Sequence, residues 1–145
     1  MGMVMYVRSG DAAMVDALVG DDDALVGWVT DGSAWEADKM WWAAADLLFG
    51  PGGVGRFGGE PVSDVVGYTP VLVMDVDDVA GLAADLVDVD LGVLIGRFDA
   101  DAFGDPVGPS VSSDDRDWLP QAADRLRQLI VDAAARSHLI AWVVS

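Results

Sequence analysis

Apolar positions along the chain fall into short runs separated by aspartates and glycines, and the period of each run assigns an element. Residues 3–8 (MVMYVR) are apolar, aromatic and partly β-branched, the pattern of a buried strand. Ser9 or Asp11 then caps a helix through Ala12, Met14, Val15 and Leu18 to Gly20. Asp21, Asp22 and Asp23 place carboxylates at the start of a second helix carrying Leu25, Val26 and Trp28. Gly32 and Ser33 break the chain, and residues 35–50 (WEADKMWWAAADLLFG) read as a third helix.

Plotted at 100° per residue, that helix puts Ala37, Met40, Trp41, Ala44, Leu47 and Leu48 on one stripe. Trp35, Trp42 and Phe49 fall on the opposite side, beside Lys39 and Asp46. A helix apolar on both sides is buried from two directions, and the triple alanine allows a close neighbour. Trp42 and Phe49 are then the residues that would form any exposed patch on it.

Residues 50–67 hold seven glycines and two prolines and read as one long loop. Val71 to Met74 suits a short strand, and Asp75 caps a helix over 79–87. Residues 91–98 give a further short helix, and 99–113 are loop-like. From Asp114 the acids and Pro120 open the last long helix, with Ala122, Leu126, Leu129, Ile130 and Ala133 on one face. Residues 139–144 (LIAWVV) are continuously apolar and read as a closing central strand. No repeat or linker divides residues 1–145, so the expectation is a single α+β domain.

The charge changes the picture more than the length does. Eight basic residues stand against 25 acidic ones, for a net charge of −17. All the acids except Glu36 and Glu60 are Asp, and Lys39 is the sole lysine. Such a balance argues against nucleic acid or an anionic membrane as partner, and it would steer a basic protein toward the chain if the acids cluster. The plainer alternative is that scattered aspartates keep an apolar chain soluble. There is no cysteine, so thiolate metal sites, disulfides and cysteine nucleophiles are excluded. The opening MGMVMYVRSGD has no basic leader, and no uncharged run nears the roughly 18 residues of a membrane span. The expected compartment is the cytoplasm.

No motif carries a reaction. GVGRFG at 53–58 has the spacing of a dinucleotide fingerprint, but a helix enters it and a loop leaves it. DADAFGDPVGPS at 99–110 matches a calcium loop at Asp99, Asp101 and Gly104, yet has Phe103 and Ser110 where ligands belong. His138 is the lone histidine, so a two-histidine metal site cannot form. No G-x-S-x-G elbow presents any of the eight serines. Neither a cofactor nor a catalytic set is assigned.

Several pieces, read in order, resemble the YfbM-like family, small bacterial proteins of unknown function. They are GMVMYV, DKMWWAAADLLFG (38–50), GGEPVSDVVGYTP (58–70), VDDVAGLAADL (76–86), RFD (97–99) and the closing LIAWVVS. The resemblance implies helices around a small sheet that contains both terminal strands, and it implies no activity. Where many relatives carry a histidine in the tryptophan helix, this chain has Ala45, and Leu72 replaces an arginine after the Gly-Tyr-x-Pro motif. A Tyr-Pro-x-x-Trp stretch is not recognisable near Pro109.

The expectation from these readings is a non-catalytic, strongly acidic protein-binding domain, for instance an immunity-type inhibitor of a basic toxin or enzyme. Its apolar contacts would be Trp42, Phe49, Phe57 and Tyr68, with Asp38 and Asp46 beside them. Two alternatives stand beside it. One is a small hydrolase or ligand-binding protein that uses Asp and Tyr near the glycine-rich loop. The other is a self-associating structural protein whose extra tryptophan face closes a homodimer.

Overall fold

In chain order the protein forms β1 (Met5–Gly10), α1 (Ala12–Leu18), α2 (Asp22–Asp31), β2 (Trp35–Ala37), α3 (Trp41–Phe49) and β3 (Glu60–Pro61). There follow β4 (Leu72–Met74), α4 (Val76–Leu86), α5 (Leu91–Arg97), α6 (Leu119–Ala135) and β5 (Leu139–Val144). The structure, a computed structural model, describes residues 4–33, 35–37, 41–50, 58–98 and 118–145, with backbone alone at 36, 37, 41 and 42.

The strands make one antiparallel sheet in the order β2-β1-β5-β4-β3. β5 lies at its centre, and all six of its residues are buried. An uninterrupted apolar run has no side to offer water, so both faces of the sheet must be covered. Ile140, Trp142 and Val144 join Met5, Val7 and Met74 under α3, α4 and α6, with Leu94 of α5 in the same core. Leu139, Ala141 and Val143 turn the other way and meet Val71 with Val15, Leu25 and Val29 of α1 and α2. The result is three layers, helices on either side of the sheet, in an α+β domain with both terminal strands paired. Val4 and Ser145 exchange backbone hydrogen bonds at 2.8 and 2.9 Å, closing the β1–β5 ladder at its end.

Helix starts follow the aspartates. The side chains of Asp11, Asp21, Asp75 and Asp90 accept from amides in the first turns of α1, α2, α4 and α5. Asp is short enough to reach back to its own helix, which is the property that makes it a cap. α4 therefore begins directly after Asp75, three residues before the start expected from its apolar period. α6 has no such side-chain cap and carries Pro120 in its first turn, where the missing N–H costs nothing.

The tryptophan segment departs from its reading as one continuous helix. Trp35–Ala37 is a strand paired with Met5, Tyr6 and Val7, and the described helix, α3, spans Trp41–Phe49. Three residues carry too little pattern to separate the two periods, whereas β1 needs a partner for its outer backbone groups. Ser33 completes that edge: Val7 N–H donates to its hydroxyl oxygen at 3.1 Å, and the hydroxyl reaches Trp35 O at 2.5 Å. Trp35 is buried, and its indole N–H donates to Ala122 O on α6 at 2.8 Å.

Within α3 the alanines behave as expected, with Ala43, Ala44 and Ala45 all buried beside Leu47 and Leu48. On α6 it is Ala123 rather than Ala122 that is fully buried with Leu126, Leu129, Ile130 and Ala133. The expected glycine loop also contains the two-residue strand β3, exposed at the sheet edge, where Pro61 fits because an edge position need not donate.

On the other face, Arg8 lies 4.4 Å above the Trp28 ring and donates to Trp28 O at 2.7 Å. Gly10 sits against the same ring, and a Cβ there would be 2.6 Å from Cζ2 of Trp28. Gly10→Ala is expected to lower stability by about 1–3 kcal/mol through overpacking. Gly81→Ala, in mid-helix with open space above it, is expected to raise stability by about 0.5–1 kcal/mol. Equilibrium denaturant unfolding of both variants measures each change.

Candidate functional site

α4 carries Asp77, Gly81 and Asp85 at four-residue steps, which stacks them along one side of the helix. Together with Asp78, Leu82 and Met74 they face the backbone of Gly58 and Gly59 across a trough of about 310 Å³. Gly81 supplies no side chain, so the middle of the trough stays open. The opposite wall is fixed from beneath. Trp142 of β5 donates its indole N–H to Gly58 O at 2.8 Å. Gly59 has a φ of +137°, which glycine adopts readily, and lies so close to β4 that a Cβ would be 2.9 Å from Val73 O.

A second hollow, of about 330 Å³, adjoins the first and is lined by Leu48, Phe49, Gly50, Leu86, Val89 and Arg97, with Asp85 shared between the two. Arg97 donates to Leu48 O at 3.4 Å. Gly50, at φ +91°, leaves α3 here, and its N–H donates to Asp46 O at 2.7 Å. Gly50 thus lines one hollow, and Gly58 and Gly59 line the other.

This arrangement can hold a cation. Asp77, Asp78 and Asp85 are exposed, and Met74 and Leu82 give an apolar floor. The stem of a lysine or arginine could lie on that floor with its charged head among the carboxylates. Among the described residues no three His, Cys, Asp or Glu side chains gather closely enough to hold a metal ion. No carboxylate among them is buried either.

The residues singled out from sequence are distributed unevenly. Phe49 is half-buried against the larger core and lines the second hollow. Asp46 is half-buried one turn before it on α3. Tyr68 is 56% exposed between β3 and β4, donates its backbone N–H to Val144 O at 3.0 Å, and lines neither hollow. Asp38, Phe57 and the Trp42 side chain lie outside the described residues, as do the calcium-like loop and all of the GVGRFG segment but its last glycine. Sequence reasoning did not single out Asp77, Asp78, Asp85 or Arg97. The spacing of acids four residues either side of Gly81 is the signal that could have found the first and third.

The architecture is that of a known solved structure. The crystal structure of a protein of unknown function, YfbM from Escherichia coli, matches with a TM-score of 0.63 at 15% identity. The match covers 99% of this chain and 100% of that one, so the fold is YfbM-like over its whole length. No protein-family model matches the sequence, and no curated protein matches it significantly.

Caps and trough acids separate by stability. Asp75→Ala removes the side-chain bond to the Asp78 amide and is expected to cost about 1 kcal/mol. Asp77→Asn, two residues on and exposed, is expected to stay within about 0.5 kcal/mol of the parent. Thermal or urea unfolding of the pair reads the difference directly.

Proposed function

We propose that this protein is a non-catalytic binding domain whose acidic trough along α4 receives a basic side chain or segment of a protein partner. The observation that carries the reading is the trough itself, with Asp77, Asp78 and Asp85 around an open glycine. A chain charge of −17 would draw a basic partner in from a distance, and the trough would set where it settles. Phe49, in the adjoining hollow, offers an apolar contact beside the charges.

An immunity-type protein that covers the active site of a basic toxin or enzyme is one concrete form of this function. The small-hydrolase alternative calls for carboxylates converging in a cleft with at least one buried. Every charged side chain among the described residues keeps access to water, which favours binding over catalysis. The self-association alternative predicts a sedimentation coefficient that rises with concentration.

The binding reading is tested with an oligo-arginine peptide as a defined basic probe, comparing D77N/D78N/D85N with D16N/D23N/D31N. Both triple variants remove the same charge, but the second takes it from exposed positions on α1 and α2. The trough variant is expected to slow association about tenfold and to flatten its salt dependence, with the α1–α2 variant changing it less than about twofold. Equal losses in the two variants would reduce the effect to net charge and overturn the assignment. Gly81→Leu, which fills the trough without altering charge, is expected to speed dissociation.

A further inference from the structure

Seven arginines and one lysine are the only permanent cations in the chain, and two of the arginines meet at one hollow on the face of α6 away from the trough. Arg125 and Arg136 line a space of about 290 Å³ together with Ser9, Gln128, Leu129 and Asp132. The helix positions recur at three- and four-residue steps, so they form a single stripe facing the end of β1. Leu129 is buried and provides the floor. Arg127, on the same helix, is held by Asp124 at 2.9 Å. Among the described residues neither Arg125 nor Arg136 has such an ion pair, and Asp132 offsets only one of their two charges.

The strand contributes donors of its own. Val4 and Ser145 exchange hydrogen bonds across the β1–β5 ladder, so every second residue of β1 turns its peptide groups toward β5. Ser9 falls on the other phase, with Val7, whose N–H goes to Ser33 on the β2 side. Among the described residues the β1–β2 pairing runs to Val7 and Trp35, and the Ser9 N–H, two residues on, faces the same edge without a strand partner there. By the same alternation as Met5 and Val7, the Ser9 hydroxyl is on the α6 side of the sheet.

We infer that this hollow binds the oxyanion group of a small ligand, a phosphate or a carboxylate. Two guanidinium forks offer planar donor pairs that match either group, and the Ser9 hydroxyl adds a further donor at the strand end. The many aspartates elsewhere oppose an anion only weakly at physiological ionic strength, where charges beyond about 8 Å are screened. The site is independent of the acidic trough, and its ligand has the opposite charge.

The test is an amide NMR titration of the intact protein with inorganic phosphate and, separately, with succinate, ionic strength being held constant with sodium chloride. The expected result is saturable shifts at Ser9 and at the Gln128 side-chain amide in the low millimolar range or tighter. Arg125→Gln and Arg136→Gln should each weaken binding about tenfold or more, while Arg127→Gln leaves it unchanged. Saturation by phosphate alone assigns a phosphate ligand, by succinate alone a carboxylate ligand, and by both the shared oxyanion chemistry. Absence of saturation with either anion, or saturation that survives both arginine substitutions, would overturn the inference. Because both arginines are exposed, native dispersion of the variant spectra separates lost binding from lost folding.

Discussion

The burial of β5 on both faces is the constraint from which the rest of the molecule follows. Leu139, Ile140, Trp142, Val143 and Val144 each gain on the order of 1.5–3 kcal/mol when fully withdrawn from water. That exceeds the roughly 1 kcal/mol of a helix cap, so the helices are arranged to serve the strand. Antiparallel sheets commonly leave one face wet, and this one cannot. α1 and α2 are short because their task is to cover Leu139, Ala141 and Val143, while α3, α4, α5 and α6 build the thicker layer over Ile140, Trp142 and Val144. The trough inherits its shape from the same strand, since Trp142 holds Gly58 in place from below.

The aspartates divide by the work they do. Asp11, Asp21, Asp75 and Asp90 are bound to helix amides and belong to the architecture. This accounts in part for a chain that uses Asp so heavily and Glu at only two positions, because Glu is a residue too long for the same bond. Asp22 has a third kind of task, accepting from the Asp64 N–H at 3.1 Å and so tying the segment after β3 to α2. Asp77 and Asp78 remain turned to solvent at the trough. A net charge is therefore a poor guide to function until its structural share has been set aside.

Most of the elements were legible because their signals are local. Apolar period located α1, α2, α5 and α6, and a continuous apolar run located β5 to the residue. Trp35–Ala37 was not legible, since its strand state is imposed by β1, some thirty residues earlier in the chain, and not by its own three side chains. The candidate site was legible only at Phe49. Tyr68 looked suitable because it is aromatic and close to glycines in sequence, but its backbone is pinned to the end of β5, away from both hollows. Asp77 and Asp85 carry no signal of their own in the sequence beyond their spacing about Gly81, because their meaning depends on Gly58 and Gly59 arriving from a distant segment.

The pairing of β1 with β5 joins the first strand of the fold to the last. Every contact that β5 makes waits on its emergence, so synthesis must deliver nearly all of these residues before the sheet has a middle. Until then two greasy helical layers have nothing to cover, and the nascent chain is at its most adhesive. Long-range closure of this kind slows folding relative to a helical bundle of equal size. Like-charged chains repel, so a net charge of −17 opposes contact between half-made copies during that interval.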